Sequence, residues 1–399
     1  MKSRYLALIG ALAALIVVSL VPIRVAGQAS TNTNGGPPKT PWGEPDFQGI
    51  WSDNTFTPLQ RPAKYAGKES FTDAEIAALD KQRAAIPRRD LRAQAGSDAD
   101  VAGAYNSFWM SVRPTGRRTS LIVDPPDGRI PLLTSEAQKR NAVRREFQAA
   151  LLQATDACKN NTAACAGGKY GPPSPKRAEA PPYYNTDRLP NRVDGPEDRS
   201  LLERCLAMGA MLPDFSNDMS WGSRQIVQSP GVVSIFYDVG QGQGWSRIIP
   251  ITTAPHLPQH FRRWAGDSRA HWEGNTLVVD VTNFTTKTDF GGSRETLHLI
   301  ERWTRTGPTT LEYVVTIDDP TTWTTPWTAT QEYDKQSDQA NRFYREPRCH
   351  EGNFGMIGML AGARAQEKAF AEGRGPDPAT LGGGGGGGGG EENQDPLQR

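Results

Sequence analysis

All five histidines of this 399-residue chain, His256, His260, His271, His298 and His350, lie beyond residue 255. Imidazole changes charge closest to neutral pH, so the side chains best suited to proton transfer or metal ligation are gathered in one part of the chain. Three groupings offer chemistry. In His256-Leu-Pro-Gln-His260 two imidazoles stand four apart, a spacing that chelates a metal from one face of a helix. Pro255 and Pro258 oppose that helix, and no Glu follows His256 as the zinc-protease motif requires, so no metal is assigned and structural histidines are expected. In the second grouping, a hairpin turn at Gly274-Asn275 sets Trp272 opposite Leu277, His271 opposite Val278 and Arg269 opposite Asp280. Arg269, His271 and Asp280 then share a face, where a carboxylate can fix an imidazole's tautomer for acid–base work. The plainer alternative is a cross-strand Arg–Asp pair that supports the sheet. The third grouping is Cys349-His350-Glu351-Gly352-Asn353, where a bridged Cys349 would hold His350 and Glu351 rigid beside a pocket. The candidate catalytic residues are therefore His271, Asp280, Arg269, His350 and Glu351. A serine hydrolase is disfavoured because no G-x-S-x-G elbow occurs.

Aromatic residues supply the second set of candidates. Trp323 and Trp327 stand four apart in a strand-like run and would share a face; with Trp272, Trp303 and His298 they are candidates for stacking on a ring-shaped ligand. Core packing is the plainer alternative for each.

These residues need a β scaffold. From Arg224 onward the hydrophobic period is two. A turn over Thr306–Thr310 pairs Trp303 with Tyr313, Leu299 with Ile317 and His298 with Asp318, and puts Glu301 on the apolar face, where it needs a partner. Seven to nine such strands predict a mainly β chain with flanking α-helices: an antiparallel β-barrel or strongly curved sheet over 216–370, closed by a C-terminal helix at 354–370. Residues 42–215 are expected to wrap it as extended and helical segments. Helices are predicted after the capping box Thr72-x-x-Glu75, after Ser135-x-x-Gln138 as far as Ala157, and over Glu197–Ala207. Gly240–Gly244 joins strand to strand and so is not a phosphate loop. Residues 30–41 read as a linker, and 371–399, with nine consecutive glycines, as a disordered tail.

Met1-Lys2-Ser3-Arg4, the apolar run Leu6–Ile23 and the small residues through Ala29 read as a signal peptide over 1–29, with an uncleaved membrane anchor as the alternative. Export and an even cysteine count predict disulfides. Of three possible connectivities, Cys158–Cys165 with Cys205–Cys349 is preferred. The net charge of +1 gives no overall pull toward nucleic acid. The basic run from Arg113 to Arg145 comes with no nucleic-acid motif and reads as a solvated face.

The strings PDFQGIWS (45–52), RTSLIVDPPDGRIPLLT (118–134), GDSRAHWEGNTLVVDVTNF (266–284), DDPTTWTTPWTA (318–329) and CHEGN (349–353) resemble an uncharacterised family of exported bacterial proteins, over nearly all the chain from Trp42 to Lys368. The resemblance implies export and transfers no catalytic residue. The glycine tail and the Cys158–Cys165 loop stand outside its common pattern. The expectation is an exported barrel that binds an unknown small molecule, with Trp and His at its mouth or interior, no cofactor, no nucleic-acid partner, and membrane contact only through an uncleaved anchor. The alternatives are an exported acid–base enzyme (hydrolase, lyase or isomerase) and an envelope interaction protein.

Overall fold

The computed structural model describes residues 38–53, 55–84, 113–206, 211–215, 223–240, 243–337 and 354–381. The chain divides into Met1–Asp46 and Phe47–Arg399. In the first unit the described residues form a tight turn, in which the Thr40 N–H donates to Glu44 O at 2.8 Å.

The second unit is built on ten strands. They are β1 (Gly49–Ser52), β2 (Ile122–Asp124), β3 (Ser223–Ser229), β4 (Val232–Gly240) and β5 (Gln243–Pro250), followed by β6 (Asp267–Glu273), β7 (Thr276–Thr282), β8 (His298–Arg305), β9 (Thr310–Asp318) and β10 (Trp327–Lys335). They form one antiparallel sheet in the order β5-β4-β3-β1-β10-β9-β8-β7-β6, with β2 also on β10. The outermost strands meet through one bridge, Ile251 to Ala270, so the sheet curls into a nearly closed barrel. Inside and outside follow from residue parity. Leu299, Glu301, Trp303 and Arg305 of β8 are buried, as are Leu311, Tyr313, Val315 and Ile317 of β9 and Trp327, Ala329, Gln331 and Tyr333 of β10. Gly274 turns the β6–β7 hairpin with φ +61°, and the register is the expected one, Trp272 on Leu277, His271 on Val278 and Arg269 on Asp280. The β8–β9 pairing also holds, with Trp303 on Tyr313, Leu299 on Ile317 and His298 on Asp318.

Glu301 has the partner its position demands. Its carboxylate accepts from Arg247 Nη2 at 2.6 Å and from the Tyr313 hydroxyl at 2.8 Å, deep in the barrel. Arg247 on β5 also donates to Ser268 Oγ on β6 at 3.0 Å. One guanidinium thus ties both edges of the seam, where backbone pairing is reduced to a single bridge. Burial pushes the Tyr313 phenol well above its ordinary pKa, which keeps it a donor to Glu301.

The flanking helices are α1 (Asp73–Ala84), α2 (Ser135–Leu152), α3 (Asp156–Asn160) and α4 (Phe354–Ala371). The α1 capping box forms as expected, with Thr72 N–H donating to Glu75 Oε2 at 2.8 Å and Glu75 N–H to Thr72 Oγ1 at 3.3 Å. Four expectations need correction. First, residues 42–215 do more than wrap: β1 lies in mid-sheet between β3 and β10, with Trp51 pointing inward and donating to Phe47 O at 2.7 Å. Its four residues are too few to show a period. Second, α2 is capped by Thr134 and ends at Leu152; Thr155 then caps α3 by accepting from Cys158 N–H at 3.2 Å. Third, among the described residues no helix spans 197–206. Among the described residues to 206 the segment holds the 3-10 turn Pro196–Asp198 and a single turn capped reciprocally by Ser200 and Glu203, which goes no further because Cys205 takes the left-handed φ of +57°. Fourth, the segment after 371 is ordered as far as 381: Ala379 is buried, and its carbonyl accepts from Asn191 Nδ2 at 2.7 Å. The proposed signal peptide, most of the linker and the glycine run lie outside the described residues.

If Arg247 and Glu301 form one closed unit, Glu301→Gln leaves a buried guanidinium uncompensated and destabilises by about 3–5 kcal/mol, while Arg247→Leu combined with Glu301→Leu recovers most of that loss. Urea unfolding of the three proteins measures this. Equal stability of Glu301→Gln and wild type would remove the pair from its closing role.

Candidate functional site

Two sets of polar side chains are built by this scaffold, one inside the barrel and one on its outer wall. The inner set begins with a circumferential row. Trp272 on β6, Leu277 on β7, Trp303 on β8, Tyr313 on β9 and Gln331 on β10 are successive register partners, all turned inward. The Trp303 ring lies 4.4 Å from Tyr313 and 5.9 Å from Tyr333, and Trp272 meets Phe47 edge-on at 5.3 Å. Among the described residues, the buried indole N–H groups of Trp272 and Trp303 and the Oε1 of Gln331 find no hydrogen-bond partner. The Trp327 N–H is also unmatched; that ring packs on Phe290 and Trp323 at 5.9 and 5.7 Å. Trp303, Trp323 and Trp327, expected as ligand-stacking residues, are all buried among other rings, and Trp303 and Trp327 keep an unmatched N–H there.

Beside this row the chain inserts residues 211–215. Leu212 joins the core and Phe215 rests on Tyr313 and Phe290, each at 6.3 Å. Between them Asp214 is held by every polar group it has. Its carboxylate takes Arg224 Nη2 at 2.6 Å and Nε as well. Its N–H donates to the Tyr313 hydroxyl at 3.3 Å, and its carbonyl accepts from the Tyr333 hydroxyl at 2.8 Å. The Arg224 guanidinium also covers the Tyr333 ring at 4.2 Å. Sequence reasoning missed Arg224, Arg247 and Gln331, although strand parity puts all three on the inward face. Nothing in the sequence marked Asp214, because no period governs a loop.

The outer set corrects the expected Arg269–His271–Asp280 grouping. The cross-strand register is right, but the partners come from elsewhere. The β5–β6 connection returns His256 to the barrel wall, with Nδ1 3.0 Å from Asp267 Oδ2 and Nε2 3.2 Å from Asp280 Oδ1. On the other side of Asp280, His298 Nε2 stands 2.9 Å from the same Oδ1. Arg269 turns to Asp267 at 3.1 Å and to Pro255 O at 3.2 Å. His271 is exposed and meets Glu273 at 3.1 Å, which also takes Arg302 at 2.8 Å. His298 pairs with Asp280 on β7, not with its register partner Asp318. The result is an alternating chain, Asp267–His256–Asp280–His298, on the outside of the wall. The four imidazoles among the described residues therefore do not line the interior. His260 is also outside, exposed, with its ring 4.3 Å from Phe261. The hydrogen bond from His298 holds the Asp280 carboxyl below its usual range, and the same bond raises the His298 pKa, against partial desolvation in both cases. Among the described residues no three His, Cys, Asp or Glu side chains are arranged to hold a metal ion. Cys349, His350 and Glu351 lie outside the described residues. The Cys158–Cys165 disulfide forms with a Cα–Cα distance of 5.2 Å, and Cys205 is disulfide-bonded.

Fold and interior together define a nearly closed antiparallel β-barrel with a hydrogen-bonding core. No protein-family model matches the chain, and no curated protein sequence does. Among solved structures, a crystal structure of a mutant of the fluorescent protein UnaG is similar at 13% identity, over 34% of this chain and 86% of that one, with a TM-score of 0.21. That likeness is too slight to carry function.

The outer chain has a pH signature. His298, with its pKa raised by folding, contributes stability that is full below about 6.5 and is lost as pH rises through its folded value. Asp280, with its pKa lowered, contributes above the ordinary 3.8 and loses that contribution as pH falls through its folded value. The stability gap between wild type and His298→Gln should be widest between about pH 4 and 6.5, reach at most about 1 kcal/mol for so exposed a pair, and close toward pH 9. Thermal unfolding across that range measures it; a gap that widens with pH contradicts the pairing.

Proposed function

We propose that the barrel is a receptor for one small molecule, held inside against the row Trp272–Trp303–Tyr313–Gln331, in an exported protein. The observation that carries this reading is the pair of indole donors and the amide acceptor left unmatched in a single inward row. A buried hydrogen-bonding group without a partner costs about 1–3 kcal/mol, so native cores rarely keep several together without use. Two donors and an acceptor between aromatic walls are the elements of a small-molecule site, mostly apolar with a few convergent polar groups. Nile red, a neutral planar dye with a carbonyl acceptor, is a suitable probe. It should bind with saturation at one equivalent, and Trp303→Phe should weaken binding by about tenfold, the worth of one buried hydrogen bond. Absence of saturable binding, or affinity untouched by both Trp303→Phe and Gln331→Ala, would falsify the receptor reading.

Export rests on the charged and apolar N-terminus, on the disulfides, and on the resemblance to an exported family. No helix among the described residues is long and apolar enough to cross a membrane. The mature protein recovered from the cell envelope should lack residues 1–29 by intact mass; a retained apolar segment would favour the anchor.

A second reading has its own observation: the two imidazole–carboxylate contacts that meet at Asp280. An acid–base enzyme would work from this outer face with His298, whose side chain is 39% exposed, as the proton carrier. Nile red binding that survives His298→Gln separates the receptor from this surface.

A further inference from the structure

The arginines inside the barrel already meet opposite charges, Arg247 on Glu301 and Arg224 on Asp214. The groups left unmatched in the inward row are neutral: the indole N–H groups of Trp272 and Trp303 and the Oε1 of Gln331. An indole N–H only donates, and an amide oxygen only accepts. Trp303 on β8 and Gln331 on β10 are the two register partners of Tyr313 on β9, and both are buried on the inward face. Donor and acceptor therefore flank Tyr313 in the row, with their Cα atoms two strand spacings, about 10 Å, apart. Trp303 also lies against the rings of Tyr313 and Tyr333.

We infer that the ligand is a neutral planar lactam, its carbonyl accepting from the Trp303 indole and its ring N–H donating to Gln331. The inference rests on the receptor reading above and names the ligand class. Charge selects against ions: a carboxylate or ammonium brought among groups already matched would have no counterpart. Reach selects the spacing. Two inward side chains and two hydrogen bonds of about 2.9 Å each cover the distance between the strands, which places the ligand's acceptor and donor on neighbouring atoms. A lactam holds C=O and N–H on adjacent ring atoms, on one edge and in one plane. Its flat body suits the rings of Trp303 and Tyr313. A ligand with acceptors alone would leave Gln331 unmatched, and one with donors alone would leave the indole unmatched, each at the cost of a buried polar group. Trp272, on the far side of Leu277, is open to a second acceptor on a larger ring system.

The test displaces Nile red from wild type with phenanthridinone, a flat tricyclic lactam, and with its N-methyl derivative, which keeps the carbonyl and loses the donor. Phenanthridinone should bind about tenfold more tightly, the worth of one buried hydrogen bond. In Gln331→Leu that preference should disappear, because the acceptor is gone. In Trp303→Phe both compounds should weaken together and the preference should remain. If Nile red fails to bind wild type, the receptor reading itself is lost. If Nile red binds and phenanthridinone displaces it no better than the N-methyl derivative, or not at all, the receptor stands and the lactam is overturned. A preference that persists in Gln331→Leu reports only the bulk of the methyl group and overturns the assignment as well. Should Gln331→Leu not fold, proton NMR of phenanthridinone bound to wild type decides. Its N–H resonance should lie downfield of its position in dilute apolar solvent; an unshifted resonance overturns the inference.

Discussion

The contact between Arg247 and Glu301 is what lets a long sheet behave as a barrel. Nine of the strands lie side by side in one path, and its two ends, β5 and β6, share a single backbone bridge. A sheet that stops there presents two open edges, each a row of unpaired donors and acceptors. Arg247 spans the gap from within, reaching Ser268 on β6 and Glu301 on β8. From outside, the β5–β6 connection is pinned to the wall by His256 on Asp267 and Asp280, and by Asn283 donating to Leu257 O at 2.8 Å. A buried ion pair adds little net stability compared with an apolar pair of the same shape. Its contribution here is geometric: it specifies which edges meet and at what register.

That closure sorts the chemistry of the molecule by location. Arg224, Arg247, Glu301, Tyr313 and Tyr333 go inside, where each of these charges meets an opposite one and the two phenols stay protonated. His256 and His298 go outside, where water moderates their pairing with carboxylates. The aromatic row and the imidazole–carboxylate chain therefore occupy opposite faces of the same strands: β8 carries Trp303 and Glu301 inward and His298 outward.

Much of the β framework was legible in the residues. The Gly274-Asn275 turn and the alternation from Leu297 to Ile317 set two hairpins, including each named cross-strand pair, because turn geometry and a half-buried face leave one register. The demand that Glu301 find a partner was legible for the same reason: a carboxylate at an inward position cannot remain unpaired. Helix starts were readable at Thr72, where side chain and backbone cap each other locally. Helix ends and the segment 197–206 were not, since a new cap at Thr155 restarts the chain after Leu152 and the turn opened by Ser200 and Glu203 stops at Cys205, where φ is +57°.

The sequence by itself determined which residues face in and which face out, since parity along a strand is a local property. It did not determine who meets whom across the barrel. His256 reaches Asp280, Arg247 reaches Glu301, and Asp214 enters beside Tyr313 only because curvature brings remote segments into the same space. Those contacts join residues 24 (His256 to Asp280), 54 and 99 positions apart. No periodic signal extends across such separations, so only the folded chain decides them.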